Sequence, residues 1–327
     1  ALLCKTAYAQ YQIYDFQKRY KEAPAGAFIE TGKLNLPRSN HSSIRLQDGN
    51  ILVVGGNKGA ELFNPKTGKY KLINNTLPKI HGSRINSILL PNGNVLIAGC
   101  YLFDAETKKF TLVKNINKYI KPSFLMFNNM RFLIPVLLDD KRVLVIVDNS
   151  SDHMENQILM YDIENNSYEK FDINLPDTHK KYLGRGFSYI KDGDIIYFIS
   201  GAKLIKWNYK ENKFIDGVLF DKFWQQAFVL DNENVLFNDG YTYKSSAVLN
   251  VKTGVLTPLE GCRRWLYQSF KINDDYYIFA SPEREKLHSG EDDSLYLLKC
   301  SAEDFKCRQY NTNKIWDYYR LSLHRFY

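Results

Sequence analysis

Along the chain, short apolar runs follow tight-turn signals at a steady spacing. Asp48-Gly49 precedes Ile51-Leu52-Val53-Val54, Asn92-Gly93 precedes Val95-Leu96-Ile97, and Asp140-Lys141 precedes Val143-Leu144-Val145-Ile146-Val147. Asp192-Gly193 then precedes Ile195 to Ile199, Asn232-Glu233 precedes Val235-Leu236-Phe237, and Asp274-Asp275 precedes Tyr276 to Phe279. Each reads as a strand, a tight turn and a strongly apolar second strand. The turn residues at 48, 92, 140, 192, 232 and 274 recur every 40 to 52 positions.

A second hairpin follows each of these. Leu62-Phe63-Asn64-Pro65-Lys66-Thr67-Gly68-Lys69-Tyr70 matches Leu102-Phe103-Asp104 through Phe110, and the pattern returns at Met160 to Tyr168, Ile205 to Phe214, Val248 to Leu256 and Leu297 to Phe305. It also occurs at the start of the chain, as Ile13-Tyr14-Asp15 to Tyr20. Four strands per period of about 40–50 residues is the signature of an all-β propeller. Seven outer hairpins against six inner ones predict a seven-bladed ring, with six blades as the alternative. In the seven-bladed reading, Ile315 to Tyr327 supplies an inner strand that pairs with the N-terminal hairpin and closes the ring, removing its open edges.

The segment from Leu34 to Tyr70 resembles the Kelch repeat of galactose-oxidase-like propellers. The residues that carry the likeness are Pro37-Arg38, His41, Leu46-Gln47-Asp48-Gly49, the doublet Gly55-Gly56, and Glu61-Leu62-Phe63-Asn64-Pro65 with Thr67-Gly68-Lys69-Tyr70. Later units degenerate, the doublet becoming Val147-Asp148, Ser200-Gly201, Asp239-Gly240 and Ala280-Ser281. The likeness speaks for the fold and not for an activity, because this architecture hosts enzymes and binding modules alike.

Composition agrees with a packed β protein: 44% of the 327 residues are hydrophobic, and Tyr and Phe number 23 and 20. No uninterrupted apolar run reaches about 18 residues, so no transmembrane helix is expected. Lys and Arg total 44 against 36 Asp and Glu, a net charge of +8. That excess favours anionic partners, while the lack of any block of four consecutive basic residues argues against nucleic acid. Ala7-Tyr8-Ala9 has the small-x-small form of a signal-peptidase site. Residues 1–9 are therefore expected to be the remnant of a secretory signal, with 10–327 a single propeller domain in the periplasm or at the cell surface. In that oxidising setting Cys300 and Cys307, which bracket a hairpin turn, are placed to face each other across the ladder.

The segments that lead into the inner strands carry the candidate chemistry. They contain Arg38, Arg84, Arg131, Arg185 and Arg264 at nearly one register before their turns, Trp224 in the fifth unit, and Arg320 at the closing strand. In a closed ring these guanidinium groups converge on the channel mouth, where partial desolvation strengthens attraction for carboxylate, sulfate or phosphate. The competing structural role is for such arginines to bond loop carbonyls. Trp265 and Trp316 add flat apolar faces suited to a sugar or an extended peptide, and Tyr119 and Tyr182 lie in similar segments. The predicted ligand site is thus Arg38, Arg84, Arg131, Arg185, Trp224, Arg264, Trp265, Trp316 and Arg320.

No cysteine spacing fits a zinc site, and neither a metal nor another cofactor is expected. His41, His81 and His179 fall in comparable segments, which allows them a shared site. No set of residues matches the ligands of a copper-radical oxidase. The reading is a non-catalytic module recognising an anionic carbohydrate or an acidic peptide at the mouth, with no nucleic-acid partner. One alternative is a Kelch-type sugar mutarotase or epimerase, with Arg185 or Arg264 anchoring a carboxylate and His179, Asp177 or Asp317 moving protons. The other is a scaffold that binds a protein partner through the sides of the blades or through two insertions expected to overhang the mouth, Asp148 to Glu155 and Pro282 to Asp293.

Overall fold

The computed structural model describes residues 2–23, 29, 31–38, 41–56, 59–73, 86–119, 133–147, 157–180, 183, 188–221, 224, 226–239, 246–259, 266–272, 274–280, 296–303 and 305–309. Among the described residues, helix α1 (Leu2–Glu22) comes first, followed by six four-stranded antiparallel meanders. Sheet 1 is β1 (Ser42–Arg45), β2 (Ile51–Val54), β3 (Ala60–Asn64) and β4 (Lys69–Ile73); sheet 2 is β5 (Ser87–Leu89), β6 (Val95–Ile97), β7 (Tyr101–Asp104) and β8 (Lys109–Leu112). Sheet 3 comprises β9 (Leu133–Leu137), β10 (Arg142–Val147), β11 (Gln157–Asp162) and β12 (Ser167–Lys170), after which comes the short helix α2 (Asp177–Lys180). Sheet 4 has β13 (Ser188–Asp192), β14 (Ile195–Ile199), β15 (Lys203–Asn208) and β16 (Lys213–Leu219). Sheet 5 has β17 (Gln226–Val229), β18 (Asn234–Asn238), β19 (Ser246–Asn250) and β20 (Leu256–Leu259). Sheet 6 has β21 (Leu266–Ile272), β22 (Asp275–Ala280), β23 (Tyr296–Ser301) and β24 (Cys307–Gln309).

The sheets stack face to face in chain order, which is why the second strand of each unit is apolar on both faces. Val143, Val145 and Val147 of β10 pack towards Leu90 and Leu96 of sheet 2, while Leu144 and Ile146 pack towards Ile196 and Phe198 of sheet 4. Three further clusters join sheets 1 and 2, 4 and 5, and 5 and 6. The first strands lie side by side, and between β13 and β17 the Ser188 hydroxyl donates to the Ala227 carbonyl at 3.0 Å. This is an all-β propeller.

Turn chemistry accounts for the second hairpin of each unit. The residue that ends its first strand accepts hydrogen bonds from the turn amides: Asn64 from Lys66 (2.8 Å), Asp104 from Thr107 (2.7 Å), Asp162 from Asn165 (2.8 Å), Asn208 from Lys210 (3.0 Å) and Asn250 from Thr253 (3.0 Å). These side chains mimic a backbone turn and free the chain to reverse. Each turn then passes through the left-handed region, at Gly68, Lys108, Asn166, Asn212, Gly254 and Phe305.

The expected N-terminal hairpin is overturned. Ile13 to Tyr20 lies inside α1, so the seventh outer hairpin of the sequence reading does not exist. Asp15 to Tyr20 has no Gly or Asn for the left-handed position. It does have Asp15 and Arg19 four residues apart, which pair at 2.9 Å on one helix face. The C-terminal strand expected over 315–327, and with it the pairing of the two ends, lies outside the described residues. Among the described residues no helix is long and apolar enough to cross a membrane.

Candidate functional site at the long-connection end

An antiparallel meander sends its connections alternately to its two ends. At one end lie the links within hairpins, 46–50, 90–94, 138–141, 193–194, 230–233 and 273–274, together with the outer turns 65–68, 105–108, 163–166, 209–212, 251–255 and 302–306. All are short. At the other end lie the links between second and third strands and between sheets. There β8 stops at Leu112 and β9 begins at Leu133, β12 stops at Lys170 and β13 begins at Ser188, and β22 stops at Ala280 and β23 begins at Tyr296. The chain therefore spends its long connections at one end of the propeller, where binding residues are ordinarily found.

The short-turn end is a frame of polar ties between neighbouring sheets. Lys108 of sheet 2 lies 3.6 Å from Asp48 of sheet 1, the Lys191 ammonium donates to the Leu138 carbonyl of sheet 3, and Lys252 of sheet 5 lies 3.2 Å from Asp192 of sheet 4. Asp231 of sheet 5 takes a hydrogen bond from the Tyr276 hydroxyl at 2.5 Å and one from Lys271 at 3.2 Å, both in sheet 6. Burial opposes ionisation of Asp231, but the bonds from Tyr276 and from the Glu233 and Asn234 amides outweigh it and hold the carboxyl at about 2.

Of the nine predicted ligand residues, two are described, and both are part of the framework. Arg38 does not open onto the mouth: its side chain is fully buried, as is that of Glu61, and the two lie 3.2 Å apart. Nη1 donates to the carbonyls of Gly55 (2.9 Å) and Gly59 (3.4 Å), the ends of the loop between β2 and β3. Glu61 also takes bonds from the Asn35 amide (2.7 Å), the Asn35 side chain (2.8 Å) and the Leu36 amide (3.1 Å). Arg38 thus ties the approach to β1 onto the β2–β3 loop, with Nη1 and Nη2 spent on protein groups while the buried Nε–H finds no partner among the described residues. Gly55 and Gly56 follow positive φ of 90° and 66°, a path that presents the Gly55 carbonyl to the guanidinium and that side chains with a Cβ rarely follow.

Trp224 is also a packing residue. It is buried against Phe237 with ring centroids 5.6 Å apart and nearly parallel, between sheets 4 and 5, and its amide donates to the Gly201 carbonyl at 2.7 Å. An indole in that position fills the joint between sheets and has no face left for a ligand. Arg84, Arg131, Arg185, Arg264, Trp265, Trp316 and Arg320 lie outside the described residues, as do the insertions around 148–155 and 282–293. Tyr119, another aromatic of these segments, packs against the cluster between sheets 2 and 3.

His41 and His179 do not share a site, and His81 lies outside the described residues. His41 lies directly before β1, where burial and the nearby Arg38 charge push its pKa down to about 4. His179 sits on α2, against the edge of Phe214 on the outer strand β16. Asp177 of the same helix is fully solvated. Two of the three residues considered for proton transfer, His179 and Asp177, therefore lie at the outer edge of sheet 4, and Asp317 lies outside the described residues. Among the described residues no group of three His, Cys, Asp or Glu is placed to hold a metal ion. Cys100 is buried between sheets 2 and 3, and burial raises its thiol to about 12. Cys300 and Cys307, aligned on β23 and β24, form a disulfide. Sequence reasoning missed Glu61, whose clue was an acidic residue in an otherwise apolar strand, Ala60-Glu61-Leu62-Phe63.

No family model matches the chain, and no curated protein matches it either. Solved structures do. The extracellular domain of the B. thetaiotaomicron one-component system BT4673 superposes with a TM-score of 0.57 at 13% identity over 86% of this chain. The match takes in 37% of that domain, so the chain spans just over a third of its length. A catalytically inactive virginiamycin B lyase from Staphylococcus aureus, solved with quinupristin, superposes with a TM-score of 0.54 at 13% identity, over 78% of this chain and 82% of that one. Likeness at this level establishes the fold.

Proposed function

We propose that this chain is a non-catalytic recognition module, a Kelch-like propeller whose long-connection end takes an anionic carbohydrate or an acidic peptide. The observation that carries the reading is the division of the connections. Every turn at one end is short and several are tied to neighbouring sheets, while the segments that run on for a dozen residues or more, such as 113–132 and 171–187, gather at the other. Arg131 falls in the first of these segments and Arg185 in the second; Arg84 falls in 74–86, and Arg264 and Trp265 in 260–265. The net charge of +8 suits an anionic ligand. Arg38 and Trp224 leave the ligand set, which becomes Arg84, Arg131, Arg185, Arg264 and Arg320 with Trp265 and Trp316 as flat surfaces.

The Cys300–Cys307 disulfide supports residence in an oxidising compartment, the periplasm or the cell surface. The BT4673 match is to an extracellular domain, which agrees with that placement. The test is a binding screen of acidic sugars and acidic peptides at rising salt, repeated with Arg185→Ala and Arg264→Ala. A specific ligand whose affinity falls with salt and drops on the order of tenfold or more in either variant supports the reading. Binding indifferent to salt and to both substitutions refutes it.

A further inference from the structure

The left-handed residue of each outer turn sits at a point where a neighbouring group can close over the backbone. In sheet 1 a helix does so, and in sheets 2, 3, 4 and 6 the turn residue carries a side chain of its own that makes a contact. Phe16 of α1 lies across Gly68, so that a Cβ there would come within 2.7 Å of its ring, and Gln17 holds the helix by donating to the Lys66 carbonyl at 2.9 Å. Lys108 reaches over to Asp48 at 3.6 Å. Asn166 accepts the Tyr161 hydroxyl at 3.0 Å, and the Asn212 amide donates to the Asp172 carbonyl at 3.0 Å. The Phe305 ring stacks on Tyr276 with centroids 5.9 Å apart.

Gly254 is the exception. Among the described residues nothing lies within 4 Å of the place where its Cβ would be, as is also true of Gly49 and Gly193, but beside Gly254 the apolar Val255 and Leu256 are 58% and 37% exposed. Yet its turn repeats the one that α1 occupies. Asn64-Pro65-Lys66-Thr67-Gly68 and Asn250-Val251-Lys252-Thr253-Gly254 share the pattern Asn-x-Lys-Thr-Gly. In both, the Asn side chain accepts the Lys amide, at 2.8 and 3.1 Å, and the Asn carbonyl accepts the Gly amide at 2.9 Å. The two glycines have φ of 68° and 74°. The same backbone shape is therefore filled by a phenyl ring on sheet 1 and bare on sheet 5.

We propose that the Lys252-Thr253-Gly254 turn is a docking site for a helix of another protein that presents a phenyl ring followed by a carboxamide. The ring would cover Gly254, and the amide would donate to the Lys252 carbonyl as Gln17 does to Lys66. Val255 and Leu256 extend the apolar floor, in the manner of helix recognition by an apolar patch. The Lys252 ammonium is already engaged by Asp192 (3.2 Å) and Glu233 (3.0 Å), so the recognition is apolar rather than ionic. This site lies at the short-turn end and is independent of the anion-binding reading.

The experiment uses the whole chain and a peptide of residues 10–23, held helical by a side-chain staple between positions 11 and 15, with the contact mapped by NMR. The proposal expects saturable binding with shifts concentrated in 246–259. It also expects a loss on the order of tenfold or more when the peptide carries Phe16→Ala or the protein carries Gly254→Asn. Asn occupies the same turn position in sheets 3 and 4 with φ near 49° and 47°, so Gly254→Asn keeps the fold while filling the bare point. Val255→Asp tests the apolar floor without touching the glycine. The proposal is overturned by absence of binding at millimolar peptide, by affinity unchanged in both protein variants, or by shifts confined to 60–73, where the peptide would merely displace α1.

Discussion

The guanidinium of Arg38 and the carboxylate of Glu61 meet at 3.2 Å with both side chains withdrawn from solvent. A buried pair of this kind contributes little relative to an apolar pair of the same size, but breaking one half leaves the other charge stranded. Glu61→Leu or Arg38→Met alone is expected to cost about 3–5 kcal/mol, read as a lower urea midpoint at unchanged slope. The double variant should recover much of that loss. A double variant as unstable as the worse single one would mean that the Asn35, Leu36 and Gly55 bonds, not the ion pair, hold the segment.

His41 gives the native state a defined weakness to acid. Its pKa lies at about 4, against 6.5 for the free side chain, because it is buried and faces the Arg38 charge. Between those values the unfolded chain binds a proton that the native chain refuses, so stability falls as pH drops from about 6.5 towards 4. The full contribution is on the order of 3 kcal/mol. His41→Gln should flatten the stability curve over that window, measured by urea melts at pH 7, 5.5 and 4.5. An unaltered slope would show that other groups, Asp231 among them, govern the acid limb.

How far the sequence could be read depended on where the partner of each residue lay. Asp48-Gly49 and Asn92-Gly93 announce their turns because the bonds they make stay within two or three residues. Cys300 and Cys307 were legible for the same reason, one hairpin apart. Arg38 was not, since its partner Glu61 lies 23 positions on, and only the packed sheet reveals that the two are buried together. The recurrence of arginine before the first strands suggested a ring of ligand groups, but the residue itself does not say whether its donors meet solvent or backbone carbonyls. The N-terminal hairpin failed because Ile13-Tyr14-Asp15 to Tyr20 copies the apolar spacing of the outer hairpins without their turn residues. Spacing alone suits a helix as well over so short a run.

The disulfide fastens the outer strand whose turn is least suited to its bend. Cys300 and Cys307 join β23 to β24, and the turn between them puts Phe305 at a φ of 53°, where the other sheets use mostly Gly or Asn. Closing so short a loop confers about 2.5 kcal/mol on the chain-entropy view. Cys300→Ser with Cys307→Ser should therefore raise amide exchange in β23 and β24 first, with sheets 1 to 4 unchanged. Exchange rising equally in all sheets would show that the bond supports the whole ring and not its last sheet.

Among the aromatics of α1 whose side chains are described, Phe16 is buried, while Tyr11, Tyr14 and Tyr20 stand about two-thirds exposed. Among the described side chains, the helix is held to sheet 1 by a ring laid over Gly68 and by the Gln17 bond to Lys66. Most helical stability in proteins comes from tertiary packing rather than from propensity, so losing its anchor should cost α1 order as well as position. Phe16→Ala is expected to expose Lys18, Arg19 and Lys21 to trypsin while β1 to β4 keep their exchange protection. Gly68→Ala should do the same by another route, since a Cβ at that point meets the ring at 2.7 Å and the residue sits at a φ of 68°. If β3 and β4 lose protection together with the helix, α1 is instead part of the cooperative core of sheet 1, and its seat on the turn is a condition of folding rather than an attachment to a finished sheet.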